Sequence, residues 1–164
     1  MIKFRSLKPM LFYSPDFPDG DPIPKIYTCE AEDISPTLKW ENIPKEAKSL
    51  VLIVDDPDAP DPAAPKMTWV HWILYNLPTN TSGLKSNIGH GLPVGTFEGV
   101  NDWKRIGYGG PCPPIGRHRY FFKLYAIDSI LPNLNKPTKE MLLKNIENKI
   151  VATASFVGTY KKSL

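Results

Sequence analysis

Cysteine is scarce in this sequence: among 164 residues only Cys29 and Cys112 carry a thiol. They lie far apart and without metal-type spacing. The pattern supports neither a disulfide framework nor a structural zinc site, and free thiols are the expectation. Long apolar runs are also missing, and no stretch approaches the roughly 20 residues needed to span a bilayer. The opening Met1-Ile2-Lys3-Phe4-Arg5-Ser6-Leu7-Lys8-Pro9 alternates charged and apolar residues. It lacks the unbroken apolar core of a secretory signal, so the expected compartment is the cytoplasm. Charge is nearly balanced, with 20 Lys and Arg against 17 Asp and Glu, a net +3 with no basic run. That argues against nucleic acid as a partner. No internal repeat, low-complexity tract or linker interrupts the chain, so one domain over residues 1–164 is expected, as monomer or homodimer and without a cofactor.

Proline, by contrast, is abundant, at 18 residues, many of them in polar stretches such as Ser14-Pro15-Asp16-Phe17-Pro18-Asp19-Gly20-Asp21-Pro22. Proline lacks the ladder N–H, so it belongs in ordered connections between strands. Three segments read as central strands because they are apolar on both faces: Leu50–Val54, Trp69–Tyr75 and Tyr120–Ile127. Met10–Tyr13 and Thr37–Trp40 are shorter candidates. Residues 79–115 are rich in Gly, Asn and Pro and read as a long irregular excursion, which in a compact domain is more often functional than idle. One helix is predicted near the C-terminus, capped by Thr138, with Glu140 in its first turn and Leu142, Ile146 and Ile150 recurring every four residues. The alternation over Ala152–Tyr160 predicts a last strand. The expected fold class is mainly β.

Period two decides which side chains share a face. On that rule His71 falls with Trp69, Ile73 and Tyr75, and His118 with Tyr120, Phe122 and Leu124. Each histidine then projects from an apolar, aromatic surface, either as a core histidine donating to a backbone carbonyl or as a ligand-binding group. Two of three histidines placed this way favour the second reading. Asp56 and Asp58 stand where the first central strand ends, in Asp55-Asp56-Pro57-Asp58-Ala59-Pro60. They serve there either as carboxylates at a pocket mouth or as an Asx-type turn. The Gly-rich stretch Gly107–Gly116, containing Gly110, Cys112 and Pro114, leads directly into His118 and Tyr120. Its glycines suit a concave nest of N–H groups for an anion. A phosphate beside Asp56 would be repelled unless a histidine carries a proton, so anion binding is expected to weaken as pH rises.

Taken together, Asp56-Pro57-Asp58-Ala59-Pro60, His71-Trp72-Ile73-Leu74-Tyr75-Asn76-Leu77-Pro78 and Gly110-Pro111-Cys112-Pro113-Pro114 with His118-Arg119-Tyr120 resemble the phosphatidylethanolamine-binding protein family, also called the Raf kinase inhibitor protein family. The segment from Asn101-Asp102-Trp103 to Gly110 is similar to its bacterial and archaeal YbhB/YbcL-like branch. The resemblance implies a large antiparallel sheet packed on a smaller one with Greek-key features and one or two peripheral helices. It implies an anion site at Asp56, His71, Gly110 and His118, with Tyr120 nearby and Asp58 and Pro114 as wall or support. By the same resemblance, the function is non-catalytic binding of phosphate, phosphorylated ligands or phospholipid head groups, with inhibition of a protein kinase or serine protease as a further role. The chain ends soon after its last strand and is expected to lack the C-terminal helix of animal members.

Three alternatives stay open on the residues alone. Asp56, Asp58, His71 and His118 could hold a zinc or manganese ion in a metal-dependent hydrolase, although no HExxH motif is present. Cys112 could act as a nucleophile with His118, or be a small wall residue. The Pro-rich loops could carry a surface inhibitory role independent of the pocket.

Overall fold

The computed structural model describes residues 8–163. The first seven residues, on which the expected absence of a secretory signal largely rests, lie outside the described residues. In chain order the elements are β1 (Leu11–Tyr13), β2 (Leu38–Glu41), β3 (Ser49–Ala59), β4 (Met67–Leu77), β5 (Gly83–Leu84), β6 (Phe97–Glu98), β7 (Arg117–Ile127), α1 (Lys139–Ile146) and β8 (Ile150–Lys161). A 3-10 turn at Lys25–Tyr27 precedes β2. Strands β3, β4 and β7 contain the three apolar runs, and each is longer than its run because polar residues continue the ladder beyond the apolar core. The irregular stretch 79–115 contains two strands of only two residues each, too short to show a period.

The strands form two antiparallel sheets, a three-stranded one in the order β1-β2-β5 and a five-stranded one in the order β6-β4-β3-β7-β8. The core between them takes Phe12, Leu38, Trp40 and Leu84 from the small sheet. From the large one it takes Leu50, Leu52, Val54, Trp72, Leu74, Phe122 and Leu124. On the other face of the large sheet, Val51, Ile53, Ile73 and Tyr75 pack under Leu142 and Ile146 of α1. Coverage on both sides explains why β3 is almost wholly buried and reads as a continuous apolar run.

Helix α1 starts as predicted, the Thr138 side chain accepting from Met141 N–H. It ends earlier: Ile150 is the first residue of β8 and not a third helical core position, because a turn bonding Lys149 N–H to the Ile146 carbonyl closes the helix. The start of α1 is tied to the sheet through Lys139, which with Lys123 pairs with buried Asp55 at 2.7 and 3.0 Å. No helix among the described residues is long and apolar enough to cross a membrane.

Candidate functional site

Two bulges in the β3–β4 ladder set the positions of the polar side chains. Val54 pairs with Trp72 and the next residue, Asp55, pairs with Val70, which makes His71 the extra residue of β4. A bulge of this kind breaks period two locally. His71 therefore points to the same side of the sheet as Trp72, while Ile73 and Tyr75 lie in the cluster on the opposite face. The strict alternation that groups His71 with Ile73 and Tyr75 is thus corrected; its grouping with Trp69 holds, since both line one cavity.

The second bulge lies in β3, between the pairs Asp56–Trp69 and Ala59–Met67. Pro57, with no N–H for the ladder, sits inside it. The strand therefore continues past Asp56 to Ala59 and does not end at the aspartate. Asp56 stays on the cavity side, and its Oδ1 accepts from the Asp58 N–H at 2.7 Å. Asp58 turns the other way. Its carboxylate accepts from the N–H, Nε and Nη2 of Arg119 at 2.9, 3.0 and 2.8 Å, and Arg119 projects from the opposite face of β7 to His118 and Tyr120.

The cavity holds about 360 Å³ and receives Asp56, His71, His118 and Tyr120 as its polar lining. His118 is buried with acceptors at both ring nitrogens: Asp56 Oδ2 at 2.6 Å from Nδ1, and the carbonyls of Ile115 and Pro60 at 2.9 and 3.1 Å from Nε2. The Nε2 edge therefore donates to the two carbonyls, and Nδ1 shares a proton with the Asp56 carboxyl. Burial raises the pKa of the Asp56 carboxyl, and the hydrogen bond from His118 opposes that rise. His71 donates from Nδ1 to the Gly109 carbonyl at 2.7 Å. Burial lowers its pKa to about 4, so near neutrality the ring is uncharged and its Nε2 is an acceptor. The Tyr120 ring meets His71 edge-on at 5.1 Å and stacks on His118 at 6.4 Å. Burial holds its hydroxyl pKa far above the usual tyrosine value, so it remains a proton donor.

The Gly-rich loop behaves differently from the expected nest. The Gly109 N–H donates to the His71 carbonyl, and the Gly110 N–H donates to Asp33 Oδ1 at 2.8 Å. Both are engaged within the protein, and Gly110 is a packing position: a Cβ there would run into the Asp33 carboxylate and the Tyr27 carbonyl. Downstream, Cys112, Pro113 and Pro114 form one wall of the cavity. Cys112 is joined to Cys29 in a disulfide across 83 residues of sequence, which corrects the expectation of free thiols. Spacing alone could not show the pairing; it arises because the loop crosses the segment after the 3-10 turn, where the Cys29 N–H also donates to the Pro111 carbonyl.

These contacts bear on two of the alternatives. Oxidised Cys112 has no thiol to serve as a nucleophile. Asp58 is turned toward Arg119 and away from Asp56, His71 and His118. Among the described residues, no three His, Cys, Asp or Glu side chains are grouped as metal ligands. The apolar wall opposite, made of Met67, Trp69 and Trp103, was not singled out from sequence as part of the site. Trp103 is held by a loop around buried Asn101, whose Oδ1 accepts from the Trp103 N–H at 2.9 Å and whose Nδ2 donates to the Gly107 carbonyl at 3.0 Å. A tryptophan in a Gly- and Asn-rich loop is the signal that could have revealed it.

A two-sheet antiparallel β-protein with a concave, mostly apolar cavity and a few convergent polar groups is a ligand-binding protein in its architecture. The sequence model described as "Phosphatidylethanolamine-binding protein" matches residues 13–161, and the chain belongs to that family. A relative named UPF0098 protein from Methanothermobacter thermautotrophicus is 45% identical over 148 residues, covering 89% of this chain and 95% of its own. Among solved structures, a phosphatidylethanolamine-binding protein homologue from Chlamydia trachomatis superimposes with a TM-score of 0.86 at 44% identity, covering 94% of this chain and 99% of that one. Escherichia coli YbcL, a member of the mammalian phosphatidylethanolamine-binding protein family, does so with a TM-score of 0.85 at 27% identity, covering 95% and 100%.

Proposed function

We propose that this protein is a non-catalytic binding protein for phosphate or a phosphorylated head group, using Asp56, His71, His118 and Tyr120, with Pro114 as wall and Asp58 and Gly110 as structural support. The observation that carries this reading is the meeting of the Tyr120 hydroxyl and the free Nε2 edge of His71 in the cavity of about 360 Å³, beside the Asp56–His118 pair. The hydroxyl is a standing donor. Neutral His71 is an acceptor at Nε2, so it can face an anion oxygen only when a proton sits between them. Either the ring takes that proton or the ligand brings it, as a monoprotonated phosphate does. Asp56 repels a dianion, but its Oδ2 is engaged with His118 Nδ1, whose ring the carboxylate orients.

Calorimetric titration with phosphoethanolamine and inorganic phosphate at mildly acidic pH tests the reading on the wild type, His71→Ala and Tyr120→Phe. Saturable binding that is weakened in both variants is expected. A folded wild type that binds neither compound would refute it.

A further inference from the structure

Several contacts that fix the loop 107–116 go to one short stretch, residues 27–33. The Tyr108 hydroxyl donates to the Tyr27 carbonyl at 2.7 Å, the Gly110 N–H to Asp33 at 2.8 Å, and the Cys29 N–H to the Pro111 carbonyl at 3.1 Å. The Cys29–Cys112 disulfide is the covalent member of this set. On its cavity side the same loop supplies the wall residues Cys112, Pro113 and Pro114. It also supplies the carbonyls of Gly109 and Ile115 that accept from His71 and His118. Cys29 is exposed and lies outside the cavity lining, whereas Cys112 is half-buried and lines it, so Cys29 is the end of the bridge on the solvent side.

We infer that the Cys29–Cys112 bridge is a redox latch on the ligand cavity: oxidised, it holds the Cys112–Pro114 wall and both histidines in register; reduced, it releases the wall and weakens ligand binding. The inference rests on the anion-binding reading above. The reductant is a protein or small-molecule dithiol. Its thiolate attacks Cys29 Sγ, forming a mixed disulfide and expelling Cys112 as a thiolate, which takes a proton. The second thiol of the reductant then closes on the first and releases Cys29 as a thiol. Two electrons and two protons pass to the protein, and the dithiol leaves as its disulfide. In a dithiol-rich compartment the latch opens, and in an oxidising one it stays shut. The sheets stay packed in either state, because the latch joins two loops and no strand of the core.

The test uses the full chain, oxidised, reduced with dithiothreitol, and as Cys29→Ala/Cys112→Ala. Inorganic phosphate and phosphoethanolamine are titrated calorimetrically, and amide hydrogen exchange is followed over residues 107–116. The reduced protein and the double variant should both bind about tenfold more weakly, as expected when an ordered wall must be re-formed on binding. Exchange in 107–116 should rise while that of β3 and β7 is unchanged. Equal affinity and equal exchange in the two redox states would overturn the latch, and so would global unfolding on reduction. If no form binds either compound, the anion reading fails, and the exchange difference alone still decides whether the bridge controls the wall.

Discussion

His118 Nδ1 and Asp56 Oδ2 stand 2.6 Å apart between neighbouring strands β7 and β3, with both side chains almost wholly buried. The pair is completed by the two backbone carbonyls at His118 Nε2. Removing the carboxylate leaves a buried ring nitrogen without its partner, which is the costly half of breaking such a pair. Asp56→Ala should therefore lower unfolding stability by about 3–5 kcal/mol in denaturant titrations near neutral pH. A loss below about 1 kcal/mol would mean the buried pair does not hold the two strands together.

His71 makes anion binding a proton-linked event. Its pKa is about 4, and an anion at Nε2 raises it. Between the free and bound values the affinity falls by up to tenfold per pH unit as pH rises. Sulfate brings no proton of its own in this range, so its titration by calorimetry in buffers of different ionisation enthalpy should show about one proton taken up. A pH-independent affinity for sulfate would exclude His71 as the anion-facing group.

The same histidine makes the fold acid-sensitive. Its folded pKa of about 4 lies below the unfolded value of 6.5. The unfolded state thus binds more protons between these values, and stability is full above 6.5 and declines as pH falls toward 4. From pH 7 to pH 5 the loss is about 2 kcal/mol. His71→Gln should remove most of that dependence, and saturating ligand should reduce it in the wild type. Melting curves at the two pH values check both.

Asp58 separates structural support from ligand contact. The Arg119 guanidinium beside it holds its carboxyl below the usual carboxylate range. Its contribution is present above the unfolded pKa and is lost as pH falls through the lower folded one. Arg119 is exposed on its outer side, so solvent screening limits the effect. Asp58→Asn should cost about 1 kcal/mol in stability and leave the calorimetric affinity for phosphate unchanged. A large loss of binding in this variant would place Asp58 at the ligand.

Gly110 is a steric requirement. A methyl group there collides with the Asp33 carboxylate and with the Tyr27 carbonyl, which is backbone. Gly110→Ala should destabilise the protein by about 1–3 kcal/mol and weaken phosphate binding by displacing the wall at Cys112–Pro114. Unfolding and calorimetric titrations read the two effects separately.

The sequence by itself determined the six longer strands, the helix start and the family. Apolar runs such as Leu50–Val54 have no stable placement except between two covering layers, and Thr138 with Glu140 defines a helix N-terminus by local hydrogen bonding alone. It also named the four polar residues that line the cavity, His118 and Tyr120 by strict alternation along β7 and Asp56 and His71 by their motifs.

Only the tertiary structure decided what broke local rules. The bulge at His71 depends on the register of β3 against β4, and the outward turn of Asp58 depends on Arg119 lying 61 residues away. The engagement of the Gly110 N–H by Asp33 and the Cys29–Cys112 bridge depend on two loops crossing. Register and loop crossing are set by long-range packing, whereas periodicity records only which side of its own strand a residue faces.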